Sequence, residues 1–238
     1  MTIEHTLELK SEYRPAASPS NFLIIKSKIY EWDFIRNAVS AFKTSAPSIT
    51  LYIVRHAETT YNARGLVCGS SDVALTSDGI IQARRLRGRL PAAPRLIYCS
   101  TLHRSQQTMQ AVYHPSANFP RQVLLDSRLN ERDLGVLEGK PKKFIPEFAL
   151  GDLDFAPQGG ESYRSVCQRC LSFLIDLRLT QPKCLTADAV VFCHMGPMRV
   201  FSGIFDALET PEMMMNVHFR NTHLLRYSLK DVRMPSFL

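Results

Sequence analysis

Three short apolar runs, each breaking off into histidine or arginine, constrain this chain more than any other feature. They are ITLYIV at 49–54, RLIYC at 95–99 and AVVFC at 189–193. Their length and their β-branched and aromatic content read as buried strands of a parallel or mixed sheet. Each turns polar at once. The first runs into Arg55-His56-Ala57-Glu58-Thr59-Thr60. The second runs into Ser100-Thr101-Leu102-His103-Arg104, and the third into His194-Met195-Gly196-Pro197-Met198-Arg199.

Helical patterns separate the runs. Thr76 can cap a helix from about Ser77 to Leu90, with Ile80, Ala83, Leu86 and Leu90 on one face. Another helix follows Arg104 to about Tyr113. A longer one, from about Glu161 to Leu179, places Tyr163, Val166, Cys167, Cys170, Leu171 and Leu174 in one stripe. A fourth runs from Met198 to about Leu208. Gln122–Leu125 and His223–Ser228 read as further short strands, and Lys140–Gln158 as an irregular excursion. Strands alternating with helices predict an α/β fold, a three-layer α/β/α sandwich with a mostly parallel central sheet. Such sheets bind ligands beyond the carboxyl ends of their strands. Arg55, His56, Arg104, His194 and Arg199 are therefore expected to converge on one pocket.

The 238-residue length suits one large domain or two small ones. Residues 1–48 read as an N-terminal extension and 49–238 as the catalytic domain. Within the extension, Pro15–Asn21 suggests loop, Phe22–Ile25 a strand and Glu31–Phe42 a helix. No apolar stretch spans a bilayer, and the first 20 residues lack a signal peptide's apolar core. The expectation is a cytoplasmic protein, a monomer or homodimer, with no membrane contact. Of the six cysteines, Cys167 and Cys170 have redox-motif spacing but lie on the apolar stripe, so core is the expected role. The net charge of +7 suggests an anionic partner. All of it can be assigned to Gly79–Leu125, which holds seven arginines and no acid. No aromatic-interleaved patch accompanies those arginines, so no nucleic-acid partner is expected.

Arginine forks match phosphate oxygens, and histidines near neutrality serve as nucleophile, acid, base or clamp. The Walker lysine, GxGxxG, HExxH, zinc quartet and GxSxG motifs are all missing. Phosphoryl transfer through histidine is the chemistry these residues suit best, with Glu131 or Glu58 as proton donor.

The same residues, in order, resemble the histidine phosphatase superfamily, the phosphoglycerate mutase-like proteins. The likeness runs through Arg55-His56-Ala57-Glu58-Thr59 to Asn62, then Gly69–Gly79, Gln82-Ala83 and Ser100–Thr108. Glu131–Gly139, Gly159-Gly160-Glu161-Ser162 and His194-Met195-Gly196 complete it. The resemblance implies His56 as nucleophile, with Arg55, Arg104 and His194 holding the phosphoryl oxygens. It also implies Asn62 and the Met195 N–H as further phosphate donors, and Glu131 as acid and base. It implies no metal and no cofactor. Leu134, where the mutases usually carry tyrosine, and the short Glu131-to-Gly159 connection are similar to the phosphatase branches. The expected function is hydrolysis of a small phosphorylated metabolite. Mutase chemistry and a non-catalytic phosphate-binding protein are the alternatives.

Overall fold

The computed structural model describes residues 22–25, 29–42, 46–113, 123–142, 151–182 and 185–238. Pro15–Asn21, Gln122, His114, Cys184 and the centre of the Lys140–Gln158 excursion lie outside them. Six strands form one sheet: β1 (Phe22–Ile25), β2 (Ser48–Arg55), β3 (Leu96–Cys99), β4 (Val123–Asp126), β5 (Thr186–Cys193) and β6 (Leu224–Ser228). Their spatial order is β1-β4-β3-β5-β2-β6. All pairs are parallel except β2 with β6 at one edge.

The helices are α1 (Trp32–Ser40), α2 (Thr60–Ala63), α3 (Ser77–Arg84), α4 (His103–Tyr113), α5 (Tyr163–Thr180), α6 (Met195–Phe205) and α7 (Pro211–Asn216). Side chains alternate across a strand, which sorts the core into two layers. Ile49, Leu51 and Ile53 of β2, with Ala189, Val191 and Cys193 of β5, pack with α1, α5, α6 and α7. Val54, Val190 and Phe192 face the opposite way, onto Met109, Val112 and Tyr113 of α4 and the Leu86–Leu90 segment. This is the three-layer α/β/α sandwich.

Residues 22–25 join the sheet and residues 29–42 join this core. β1 pairs with β4, and Ile35, Val39 and Phe42 are buried in the same cluster as α5. Helix α3 stops at Arg84, not near Leu90. The segment 85–89 continues as turns, which still bury Leu86 and Leu90. There the Arg87 guanidinium donates to the carbonyls of Ala111 and Val112 at the end of α4, as a cation near a helix C-terminus does. No described helix is long and apolar enough to cross a membrane. Cys68, Cys99, Cys167, Cys170 and Cys193 are free thiols. Burial raises Cys170 to about 12, which suits core packing and not redox chemistry.

Candidate active site

The segments that follow β2, β4 and β5 line one cavity of about 420 Å³. His56 follows β2 directly and is almost fully buried. Its Nδ1 lies 2.7 Å from the Ala57 carbonyl. A carbonyl only accepts, so Nδ1 carries the proton and Nε2 keeps its lone pair. Burial first, then the charges of Arg104 and Arg55, push His56 well below the usual histidine range. A neutral imidazole with a free Nε2 is a nucleophile at ordinary pH.

Arg104 enters from the start of α4 with no solvent exposure. Its two Nη atoms donate to Gly69 O at 2.6 Å and Ser71 O at 2.7 Å. Arg55 donates through Nη1 to Phe219 O. Neither arginine has a carboxylate partner among the described residues. His194 lies beside His56, ring centroids 5.1 Å apart, with Nε2 against Ser100 Oγ and Ser105 Oγ. Burial first, then Arg104, lowers it strongly as well. Each of these three side chains keeps one buried nitrogen without a hydrogen-bond partner: Arg55 Nε, Arg104 Nε and His194 Nδ1. Buried polar nitrogens are rarely left unpaired. Arg55 lines the cavity beside His56, whereas Arg104 and His194 lie beneath its lining, close enough for Arg104 to depress His56 and for the His194 ring to approach it.

Glu131 reaches the cavity from the loop after β4. Its carboxylate accepts the N–H groups of Gly196 at 2.8 Å, Arg132 at 2.9 Å and Met195 at 3.1 Å. It thereby caps α6, whose own N-cap residue His194 supplies no side-chain cap. The cap explains why α6 begins at Met195, three residues before the expected Met198, with Pro197 tolerated in the first turn. It also changes the expectation for Met195. The N–H that the resemblance assigned to phosphate donates to Glu131 here. A Cβ at 196 would sit 2.5 Å from Glu131 Oε1, so any larger residue there would push the carboxylate aside. Behind Glu131, the Arg169 guanidinium gathers the carbonyls of Arg128, Asn130 and Glu131 while pairing with Glu161 at 2.8 Å.

Asn62 lines the cavity, with its Oδ1 taken by Thr59 N and Asn221 Nδ2. Its Nδ2 faces only the Cys68 sulfur at 3.5 Å, a weak acceptor, so the amide can also serve a ligand. Glu58 lines the cavity too, bound by the Thr76 hydroxyl at 2.9 Å. His103 is exposed and stays outside the site.

Lys142, from the 140–158 excursion, lines the cavity, and so do three residues that escaped sequence reasoning: His218, Arg220 and Asn221. Arg199, expected at the pocket from its place after the third apolar run, lines the cavity and donates to Val217 O and Tyr163 Oη. Thr210-Pro211, a cap followed by proline at the first helical position, was the one available signal for α7. That helix leads the chain into 217–221.

The family model for the histidine phosphatase superfamily, branch 1, matches residues 51–234. This chain belongs to that family. Among curated relatives, a 2,3-bisphosphoglycerate-dependent phosphoglycerate mutase of Azorhizobium caulinodans is 33% identical over 178 residues. That alignment covers 69% of this chain and 84% of the relative. Among solved structures, Bacillus stearothermophilus YhfR is 26% identical with a TM-score of 0.65, covering 75% of this chain and 90% of that one. A mycobacterial glucosyl-3-phosphoglycerate phosphatase complexed with VO3 shares the fold, with a TM-score of 0.66 at 24% identity, covering 77% of this chain and 95% of that one. In this histidine phosphatase superfamily member, the signature segments named from the sequence all fall within the matched range.

Proposed function

We propose that this protein hydrolyses small phosphate monoesters through a phosphohistidine at His56. The observation that supports the reading is a buried His56 whose Nδ1 is held by the Ala57 carbonyl, leaving Nε2 free, with Arg104, Arg55 and His194 as its neighbours. In the first step the Nε2 lone pair forms a bond to phosphorus as the ester P–O bond breaks, in line. Arg55, Arg104, His194 and Asn62 hold the phosphoryl oxygens and offset the charge spread over them. Glu131 passes its proton to the leaving oxygen. In the second step Glu131 takes a proton from water, whose oxygen attacks phosphorus. The P–N bond breaks, and inorganic phosphate leaves with His56 restored.

Leu134, which lines the cavity, stands where mutases of this family usually carry tyrosine, and this favours water as the second acceptor. Mutase chemistry is the second reading. It is favoured by the curated relatives, of which the first three are 32–35% identical to this chain. The two readings share the first half-reaction and differ in what removes the phosphoryl group.

Incubation with 32P-labelled phosphoester, then alkaline denaturation, should leave acid-labile label on the chain and free phosphate in solution. The His56→Ala variant should lose both. Label without phosphate release, together with interconversion of 2- and 3-phosphoglycerate, selects the mutase. Turnover that survives His56→Ala sinks both readings.

A further inference from the structure

Residues 217–223 connect α7 to β6 without regular structure. Two contacts tie this segment to α6. Arg199 Nε donates to Val217 O at 2.8 Å, and Phe219 N–H donates to Met195 Sδ at 3.4 Å. The segment then meets the end of β2. Phe219 O accepts Arg55 Nη1, His223 O accepts the Arg55 N–H at 3.0 Å, and Thr222 N–H donates to His56 O at 3.3 Å.

Asn221 makes the remaining contacts. Its Nδ2 donates to His56 O and to Asn62 Oδ1, both at 3.1 Å. The second bond decides how Asn62 stands. A side-chain amide presents an acceptor oxygen on one side and a donor nitrogen on the other. Asn62 Oδ1 already accepts Thr59 N–H at 3.2 Å, which closes the capping box of α2. With Asn221 it has two donors, one for each lone pair. Turning the amide over would set Nδ2 against both donors, so Nδ2 is kept on the other side. Its partner there is the Cys68 sulfur at 3.5 Å, a weak acceptor that a phosphoryl oxygen outcompetes.

The backbone beside Asn221 is strained. Thr222 has φ of +59°, a left-handed conformation that β-branched residues rarely adopt. Among the described residues, Ala207 is the one other non-glycine at positive φ. Such strain persists where the surroundings over-determine it. Here the Thr222 N–H is bound to His56 O, and its hydroxyl donates to Asn221 O at 2.6 Å.

We propose that Asn221 is a positioning residue for phosphoryl binding: by filling Asn62 Oδ1 it keeps the Asn62 amide nitrogen turned toward the phosphoryl oxygens. This inference rests on the proposed chemistry at His56 and adds to it a residue outside the motif segments that carry the resemblance. Asn221 acts through Asn62. Its bond to His56 O is the lesser one, since Thr222 N–H holds the same carbonyl.

A double-mutant cycle on the full chain tests this, with orthophosphate as the probe and its dissociation constant read by calorimetry. Asn221→Ala should weaken orthophosphate at least about fivefold, the scale of one hydrogen bond to an anion. In an Asn62→Ala background the same change should cost less than about twofold. Asn221→Leu, which keeps the volume and removes the donor, should behave as Asn221→Ala does. Melting temperatures should stay within about 3 °C. An unchanged affinity overturns the proposal. So do losses that add in the double variant, which make Asn221 a direct ligand or a general prop, and so does failure of both Asn221 variants to fold. An unsubstituted chain that binds no orthophosphate overturns this proposal and the hydrolase reading together. Turnover of p-nitrophenyl phosphate is followed separately, and kcat/KM should fall with the affinity. If the unsubstituted chain turns nothing over while the binding cycle holds, the hydrolase reading fails and the role of Asn221 stands.

Discussion

At the scale of single residues, the site is held by groups that never touch the phosphoryl position. Glu138 is the clearest. Its carboxylate accepts Ser70 N–H at 2.6 Å, Ser70 Oγ at 2.9 Å and Leu134 N–H at 3.1 Å, and also binds Ser71 Oγ. Burial raises its affinity for protons, yet the hydrogen bonds from Ser71, Ser70 and Leu134 together win and hold it below the usual carboxylate range. The loop it gathers supplies the Gly69 and Ser71 carbonyls that grip Arg104. Gly69 suits the grip twice over, with φ of +50° and no room for a Cβ beside Glu138. Glu138→Gln should therefore lower kcat/KM about tenfold, the scale of one lost charge-assisted hydrogen bond. In an Arg104→Ala background the same substitution should cost little, because both act through one guanidinium. Independent losses in that double-mutant cycle would remove Glu138 from the path to Arg104. Gly196→Ala is the companion case. The new methyl displaces the flexible end of Glu131, so turnover should fall at least about tenfold while the melting temperature moves by only a few degrees. An unchanged rate would mean that Glu131 works from a displaced position.

At the scale of elements, the sequence was most readable where period and composition agreed. β2, β3 and β5 lie where their apolar runs put them, because a strand buried on both faces has little freedom to be anything else. Boundaries set by tertiary contacts were not readable. The early start of α6 depends on Glu131, far away in sequence, and the end of α3 depends on Arg87 reaching α4. Residues 1–48 read as an N-terminal extension, and α1, its described helix, packs against α5. Phe42 is fully buried under the Arg178 guanidinium at 5.2 Å, and Ile35 is fully buried beside the same helix. Phe42→Ala should cost about 3–5 kcal/mol, as large-to-small changes in packed cores do, measured as a shift in the urea midpoint with unchanged m. A detachable appendage would leave the main unfolding transition where it was.

At the scale of the whole molecule, the inner site was readable and the outer rim was not, for one physical reason. Residues at strand ends inherit their position from the sheet, so His56, Arg55 and His194 could be placed from three apolar runs. Lys142, His218 and Arg220 sit on loops whose path follows no periodicity, and only the folded chain brings them to the same cavity. This arrangement also fixes how the protein answers to acid. His56 and His194 are buried beside Arg55 and Arg104, and both are held well below the ordinary 6.5. In the unfolded chain they would titrate near that value, so below it the unfolded state binds more protons than the folded one. Stability then rises with pH across this window, and falls as pH drops below about 6.5, by at most about 1.4 kcal/mol per pH unit for each histidine. Above 6.5 both states are neutral at these sites, and the penalty vanishes. A bound phosphate or vanadate placed beside His56 favours the charged imidazoles and opposes the loss. The melting temperature should therefore drop between pH 6.5 and 5, and orthophosphate should raise it more at pH 5.5 than at pH 7.5. A phosphate-induced shift that is the same at both values would mean that the histidines do not feel the anion, and the site would lose its defining contact.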